Sequence, residues 1–234
     1  MYNKVIEFIR IEELYFMNVF MLKIIALASM IIDHYGAIFQ SNIEIYRIIG
    51  RIAFPIYCFL LVEGYTHTGN LKKYAIRLLI FGLISEIPFD LAFYGRIDFS
   101  HQNIFFTLFI GLITMYLLDK QDENNGFGKA VVAIGASILA MVLSVDYNFL
   151  GIIYILLFYI TKNYPKSKRL PFVALTMFLI NLITTTRIQQ FSLLALPIIF
   201  FYNEKLGPKN KLSQIMFYAV YPLHLLIFYL LKVV

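Results

Sequence analysis

The sequence predicts an all-α fold, a polytopic transmembrane helix bundle of about nine helices, within a range of eight to ten, in a single transmembrane domain covering residues 1–234. Of its 234 residues, 60% are hydrophobic and 15% are charged, whereas soluble domains are about 45–50% apolar and about 25% charged. Apolar runs follow one another almost without interruption, as expected for helices that satisfy their backbone hydrogen bonds internally within lipid. The composition therefore excludes a soluble domain with one core and a polar surface.

The helices are placed by sequence windows long enough to cross about 30 Å of hydrocarbon. They are predicted at residues 18–39, 46–66, 73–94, 103–119, 128–145, 148–163, 170–186, 190–203 and 213–232. The windows 148–163 and 190–203 are short for a complete span. Residues 1–17 carry mixed charges and precede no small-residue cleavage site, so we expect them to remain as a cytoplasmic or interfacial N-terminal segment.

The charge distribution bears on partners and location. The formal charge of +6 arises from 20 Lys and Arg against 14 Asp and Glu. The basic residues cluster in short loops between apolar runs, which favours contacts with lipid headgroups and argues against nucleic acid as a partner. Their bias predicts a multi-pass protein of the cytoplasmic membrane with its N-terminus in the cytoplasm. The single cysteine, Cys58, lies in an apolar run, which excludes a disulfide framework, and no metal-ligand spacing is present.

The first predicted helix carries two ionisable residues, Asp33 and His34, near its outer end. Ionisable groups within the hydrocarbon are costly and are usually paired or functional. Lys23 and His34 lie close to three helical turns apart, so both project from one face roughly 16 Å apart along the axis. His34 is our candidate general base because an imidazole titrates near neutral pH. The alternative is an interhelical hydrogen bond.

The second predicted helix places Arg51 at its outer end and Glu63 near its inner end, with His67 one turn beyond Glu63. Pro55 is expected to kink the helix between them. Arg51 lies at the predicted depth of Asp33, so an ion pair between the two is favoured over a direct catalytic role for Arg51.

The third predicted helix contains Glu86 and Asp90, four residues apart on one face, with Pro88 between them. Two close carboxylates can supply one acid and one base, which makes both candidate catalytic residues. The alternative is a structural role, in which the two carboxyl groups share a proton or pair with arginines. A proton-coupled transporter would use the same two residues. At the start of this helix, Lys72, Lys73 and Arg77 are candidate ligands for the phosphates of a coenzyme, with positive-inside anchoring as the alternative.

The order of polar motifs across the chain from about residue 21 resembles the TraX family of membrane proteins. These motifs are LKIIALASMIIDHYG, GRIAFPIYCFLLVEGYTHTGNLKKYAIRLL, ISEIPFDLAF, HQNIFFTLFIGL, LLALPIIFFYN and FYAVYPLHLLIFYL. That family is linked by name to N-terminal acetylation of conjugative pilin in bacteria, and it resembles a wider superfamily of membrane acyltransferases. In that superfamily the first helix carries a basic residue, usually Arg, some three turns ahead of a catalytic His. Lys23 and His34 have this spacing, although Lys lacks the planar fork of a guanidinium.

The resemblance implies acyl transfer, with acetyl-CoA as donor and co-substrate, to an amine or hydroxyl at the membrane. The acceptor stays open between a peptide N-terminus and a glycan or small molecule, and no metal is implied. In this interpretation His34 deprotonates the acceptor, while Arg51 or a nearby amide stabilises the oxyanion. Lys23, Lys72, Lys73 and Arg77 hold the donor. The remaining carboxylates, Glu63, Glu86 and Asp90, shape a polar channel. The alternatives are a small proton-coupled transporter and a noncatalytic membrane assembly subunit.

Overall fold

The structure is a computed structural model that describes residues 15–184, 186–208 and 210–233. Residues 1–14, most of the predicted N-terminal segment, lie outside the described residues. The helices in chain order are α1 (Val19–Phe39), α2 (Glu44–Gly50), α3 (Ala53–His67), α4 (Leu71–Tyr94), α5 (Ile104–Asp119), α6 (Gly126–Val142), α7 (Asn148–Ile160), α8 (Lys166–Thr184), a 3₁₀ helix (Arg187–Leu194), α9 (Ala195–Phe200) and α10 (Lys211–Val233). Extended pairing in the described chain is limited to two isolated bridges. The predicted all-α fold is confirmed.

Asparagine side chains begin several of these helices. The Oδ1 atoms of Asn18, Asn70, Asn103 and Asn125 each accept a backbone N–H in the first turn of α1, α4, α5 and α6. A capping side chain satisfies one of the four N–H groups that a helix start leaves without an internal partner. The local sequence therefore fixes where these apolar segments become helical.

Two prolines explain where helices break. The window 46–66 forms two helices, α2 and α3, separated by a turn at Arg51 and Ile52. Pro55 is the third residue of α3, where it has no N–H to give the carbonyl of Arg51 and its ring would clash with that carbonyl in a continuous helix. The window 190–203 likewise begins as a 3₁₀ helix and becomes α-helical only at Ala195, two residues before Pro197. The kink predicted at Pro55 is thus a complete break, and it lies one turn before the proline.

Three helical segments are long and apolar enough to cross a membrane by length and composition, among the described residues: Val19–Phe39, Glu44–His67 and Gln214–Val233. Shorter apolar helices cover Ile104–Asp119, Gly126–Val142, Asn148–Ile160 and Arg187–Phe200. Helix α4 has 24 residues, a sufficient length, but it contains Lys72, Lys73, Arg77, Glu86 and Asp90.

The chain divides into two compact units. The first comprises the described residues up to 60 and those between 164 and 214, and in it α1 packs on α2 while the 3₁₀ helix packs on α2 and α8. The close approach of α1 and α2 is made at Gly36, where a Cβ would collide with the Tyr46 side chain. This packing brings the end of α1 beside the arginines of α2.

The second unit comprises residues 61–163 and the described residues from 215 onward. In it α5 packs against α4, α6 and α7. A cluster of apolar side chains from α5, α6, α7 and the loop before α7 forms a core: Ile110, Ala140, Val145 and Ile152. Gly111 lets α5 approach Ile155 of α7, because a Cβ at position 111 would collide with the isoleucine. The prediction of a single transmembrane domain stays a prediction.

Candidate functional site

The carboxylate of Asp33 lies between two guanidinium groups. Arg51 Nη2 donates to both carboxylate oxygens, at 2.7 Å to Oδ1 and 2.9 Å to Oδ2. Arg47 Nη1 donates to Oδ2 at 2.7 Å and to the backbone oxygen of Asp33 at 3.1 Å. The three side chains are 10%, 14% and 31% exposed for Asp33, Arg51 and Arg47. The predicted pairing of Asp33 with Arg51 is confirmed, and Arg47 is an additional partner.

Local sequence explains this arrangement. Arg47 and Arg51 are four residues apart, a spacing that puts both side chains on one side of α2 and its C-terminal turn. Gly50 ends α2, and a Cβ there would overlap the Asp33 carboxyl group. Only a residue without a side chain allows the carboxylate to approach the α2 backbone so closely. Arg51 Nε also donates to the carbonyl of Arg47 at 3.3 Å, which fixes the guanidinium across the end of the helix.

An amide from the 3₁₀ helix joins this cluster. Arg51 Nη1 donates to Gln189 Oε1 at 3.3 Å, although the two residues are 138 positions apart. Asn181 of α8 donates to the Gln189 carbonyl at 3.1 Å and to Ser192 Oγ at 3.2 Å. Gln189, Asn181 and Ser192 are all buried. The ion pairs around Asp33 are therefore connected to a buried hydrogen-bond network, which links the 3₁₀ helix to α8 and to the C-terminal turn of α2.

His34 and Lys23 lie on α1, in the same unit as this network. His34 directly follows Asp33 in the helix, and its side chain is half-buried, as is that of Lys23. Neighbouring helical residues point about 100° apart, so the side chains of Asp33 and His34 leave α1 in different directions. The arginines thus hold the helix position next to the imidazole, and the catalytic role of His34 stays a prediction.

The other predicted site residues belong to the second unit. They are Glu63, Lys72, Lys73, Arg77, Glu86 and Asp90. Glu63 and His67 share a face of α3 as predicted, with His67 Nδ1 lying 4.0 Å from Glu63 Oε2.

Glu86 and Asp90 are buried on α4, 8% and 0% exposed. Glu86 Oε2 accepts hydrogen bonds from the side-chain and backbone N–H groups of Asn103, and the Asn103 amide also donates to the Gly82 carbonyl at 2.8 Å. Asp90 Oδ2 accepts the backbone N–H of Asp98 at 2.9 Å. The second oxygen of each carboxyl group, Glu86 Oε1 and Asp90 Oδ1, has no hydrogen-bond partner among the described residues.

The three basic residues at the start of α4 have different surroundings. Lys72 and Lys73 are exposed in the first turn, where helical N–H groups point outward. Arg77 lies one turn further, and its guanidinium carbon is 5.2 Å from the ring centroids of both Tyr74 and Tyr218. Stacking between two rings stabilises a guanidinium by cation–π attraction. Lys72 and Lys73 therefore remain accessible candidates for phosphate binding, whereas Arg77 is held by aromatic rings.

A second carboxylate cluster was not predicted from the sequence. The hydroxyl groups of Tyr65 and Tyr159 both donate to the Asp119 carboxylate, one to each oxygen. Lys162 Nζ lies 4.1 Å from the Tyr159 ring centroid. The cluster joins the last turns of α3, α5 and α7 in the second unit, and it accounts for the acidic residue at the end of α5.

The loops before α5 and α7 each contribute one member of a titratable pair. His101 Nε2 lies 3.8 Å from Asp146 Oδ1. The nearby Asp146 carboxylate raises the pKa of His101 above its usual value, although burial opposes the shift. In the loop before α5, Asp98 accepts hydrogen bonds from Ser100 and Arg96, which lower the pKa of Asp98 to about 2.

No group of three or more His, Cys, Asp or Glu side chains that could hold a metal ion occurs among the described residues.

Comparison with known sequences shows what the chain is related to. The sequence model of the TraX protein family matches residues 19–232, from the first residue of α1 to the end of α10. The chain belongs to the TraX family.

Two relatives extend this finding. The TraX-family chain is 28% identical to the "probable fimbrial assembly protein FimC, serogroup H1" of Dichelobacter nodosus, over 89% of this chain and 93% of that protein. It is 30% identical to an uncharacterised protein of Rickettsia prowazekii (strain Madrid E), over 64% of this chain and 58% of that protein. No solved structure matches the chain significantly. Family membership and the apolar helices together indicate a membrane protein.

Proposed function

We propose that this TraX-family protein is a membrane-embedded acyltransferase that moves an acetyl group from acetyl-CoA to an amine or hydroxyl at the membrane. The observation that carries the proposal is the ordered Asp33–Arg47–Arg51 cluster beside His34, within the region matched by the family. Buried ionic clusters in apolar helices are costly and commonly mark functional sites. A relative named as a fimbrial assembly protein supports an acceptor on a surface-fibre subunit, such as a peptide N-terminus.

The proposed reaction needs one general base. His34 takes the proton from the acceptor nitrogen or oxygen as that atom attacks the thioester carbonyl. A C–N or C–O bond forms, the C–S bond breaks, and the coenzyme A sulfur leaves with the proton that the imidazole received. A neutral imidazole near physiological pH suits both proton transfers.

Arg51 takes a positioning role in this account. Its donors are directed to Asp33, Gln189 and the Arg47 carbonyl. A guanidinium held in this way fixes the end of α1 next to His34 and is less suited to follow the developing oxyanion. This role agrees with the ion pair that the sequence favoured, and it differs from the oxyanion function that the family resemblance implied for Arg51 or a nearby amide.

The acyl donor requires a cationic surface. Coenzyme A carries phosphate groups, and Lys72 and Lys73 present two ammonium groups in the first turn of α4. Lys23 is kept as the residue that orients the donor arm. These assignments are part of the proposal.

The proposal is tested by incubating the purified protein in lipid nanodiscs with radiolabelled acetyl-CoA and bacterial membrane extract. We expect label in an acceptor with the wild-type protein and its loss with His34→Gln. The matched control is His224→Gln, because His224 contacts the Val220 carbonyl of its own helix at 2.7 Å and has no place in the proposed reaction. Folded wild-type protein that neither binds acetyl-CoA nor labels any acceptor would contradict the proposal.

A second candidate function is a small proton-coupled transporter. It is favoured by the buried Glu86 and Asp90, each with one oxygen lacking a hydrogen-bond partner among the described residues. Carboxylates at such positions in membrane proteins commonly bind and release protons. Proteoliposomes loaded with a pH-sensitive dye distinguish this function. Proton flux that depends on a solute gradient and disappears in Glu86→Gln would favour transport over acyl transfer.

A noncatalytic assembly subunit is the third candidate, and the name of the Dichelobacter nodosus relative, a probable fimbrial assembly protein, favours it. In that case His34→Gln should leave partner binding and fibre assembly unchanged. The acyltransferase account predicts that the same substitution abolishes acceptor labelling.

A further inference from the structure

The side-chain amide of Gln189 has an orientation that its neighbours fix. Its Oε1 atom accepts from Arg51 Nη1 at 3.3 Å, and of the two polar atoms of an amide only the oxygen can accept. The nitrogen must therefore point elsewhere. Gln189 Nε2 is buried and has no hydrogen-bond partner among the described residues. Gln189 is 5% exposed, so bulk water does not readily satisfy this donor.

An unsatisfied buried N–H group is uncommon in folded proteins. Leaving one without a partner destabilises the folded state. A native structure normally compensates such a donor with a bound ligand, ion or water. The position of this donor beside Arg51 indicates a ligand that accepts hydrogen bonds and tolerates nearby positive charge.

The charges of the cluster indicate the same class of ligand. Two guanidinium groups converge on the single carboxylate of Asp33, so these three side chains together carry one net positive charge. Both hydrogen bonds of the Arg47 side chain are donated by Nη1. Among the described residues, Nε and Nη2 therefore remain available to donate to a ligand. Arginine forks match the oxygens of carboxylate and phosphate groups.

The cluster is reachable from the exposed loop between α1 and α2. The Arg47 side chain is 31% exposed, against 14% for Arg51. Residues 41–45, which precede Arg47, are exposed. Arg47 is therefore the most exposed of the three side chains, and Gln189 is buried.

We propose that Arg47 and Gln189 donate hydrogen bonds to a bound carboxylate or phosphate group, with the neighbouring Arg51 contributing its positive charge to this oxyanion-binding site. If the chain transfers an acyl group, this site holds the acid group of the acceptor, and that part of the inference rests on the proposed function. The acid group belongs to a lipid headgroup or to a soluble molecule. Both present the same oxygens to the same donors.

The test measures anion binding without any acyl donor. The chain has no tryptophan, so Phe191→Trp places one fluorescent reporter on the 3₁₀ helix that carries Gln189. The full chain in non-ionic detergent is titrated with sodium acetate and with sodium phosphate at constant ionic strength. We expect a saturable fluorescence change with at least one of the two anions.

Matched variants locate the site. Gln189→Leu, which removes the donor while keeping the side-chain size, should weaken binding by about tenfold or more. Gln190→Leu is the control, because the Gln190 amide donates to the Phe178 carbonyl at 3.3 Å and is not part of the cluster. Its affinity should equal that of the reporter protein. If Gln189→Leu does not fold, Gln189→Met makes the same test with a flexible side chain.

Competition separates the two sources of the anion. Displacement of the soluble anion by dihexanoylphosphatidylglycerol at a lower concentration than free phosphate assigns the site to a lipid headgroup, and the reverse order assigns it to a soluble ligand. Either order supports an oxyanion site. Equal affinity of the Gln189→Leu and Gln190→Leu proteins, or no saturable response to either anion, would overturn the inference. Absence of acetyl transfer in the earlier experiment would leave this binding result unaffected.

Discussion

Arg51 Nη2 lies 2.7 Å from Asp33 Oδ1 and 2.9 Å from Oδ2, and this contact joins α1 to the turn that follows α2. The pair explains how a charged residue is tolerated at the end of an apolar helix. Counted over all its atoms, Asp33 is 7% exposed, and a buried carboxylate without a cation would be energetically costly. The contact also sets the position of the helix turn that carries His34.

Replacing Asp33 with Ala should destabilise the protein. Two guanidinium groups would lose their shared partner in a largely buried setting, which costs about 3 kcal/mol in the free energy of unfolding. Unfolding in detergent followed by circular dichroism measures the change. The control is Arg96→Ala, which removes an ion pair to Asp98 from a side chain that is 77% exposed. That variant should keep the wild-type melting temperature, and an equal loss in both variants would contradict the account.

Gly50→Ala should weaken the same pair by a steric route. The new Cβ would overlap the Asp33 carboxyl group, and such overpacking costs about 1–3 kcal/mol. Gly135→Ala is the matched substitution, since a Cβ at that position of α6 would meet no atom within 4 Å beyond its own stretch of helix. It should be neutral or stabilise by up to about 1 kcal/mol, because alanine favours a helix over glycine. Comparable stability of the two variants would refute the close approach of Asp33 to α2.

Asn103→Ala should cost more than the loss of a helix cap. Asn103 caps α5 and its amide also donates to the buried Glu86 carboxylate. Asn125 caps α6 through Gly128 N–H at 2.8 Å, in an exposed setting. Losing a cap costs about 1 kcal/mol, and leaving a buried carboxylate short of a donor adds about 1–3 kcal/mol. We therefore expect Asn103→Ala to lose at least twice the unfolding free energy that Asn125→Ala loses, as measured by chemical unfolding.

The His101–Asp146 pair predicts a pH dependence. Because Asp146 raises the pKa of His101 above 6.5, the folded state binds the proton more tightly than the unfolded state. The pair therefore contributes its full stabilisation to the free energy of unfolding below the pKa of His101 in the unfolded state. This stabilisation is lost as the pH rises through the pKa of His101 in the folded state. The effect should stay below about 1 kcal/mol, since both side chains are partly exposed.

The measurement is the difference in melting temperature between wild type and His101→Gln. It should be larger at about pH 6 than at about pH 8.5, which lie on the two sides of the usual range of histidine pKa values. A difference that is constant or grows with pH would contradict the assigned direction of the pKa shift.

The sequence was sufficient for the contacts that follow from local spacing and from the cost of buried charge. Apolar windows located the helices because every backbone group in lipid needs an internal partner. The pairing of Asp33 with Arg51 followed from their shared depth in the membrane. Arg47 was recognisable in principle, because it lies one helical turn before Arg51 and faces the same side.

Contacts between segments far apart in the chain could not be predicted from the sequence. Gln189 meets Arg51 across 138 positions, and an uncharged amide gives no signal of an expensive buried group. The Asp119 cluster has the same character, because Tyr65 and Tyr159 are 54 and 40 positions away and tyrosines are common in this chain. Such pairs depend on how helices pack, and side-chain periodicity alone does not specify that packing.

The central claim is that the imidazole of His34 acts as the general base of acyl transfer. The most direct measurement is the rate of acetyl transfer by His34→Ala in nanodiscs, with and without added imidazole. Removing a general base should slow the transfer by about 10²–10⁴-fold, and free imidazole should restore part of the rate. A His34→Ala protein that transfers acetyl groups at the wild-type rate, with no response to imidazole, would contradict the claim.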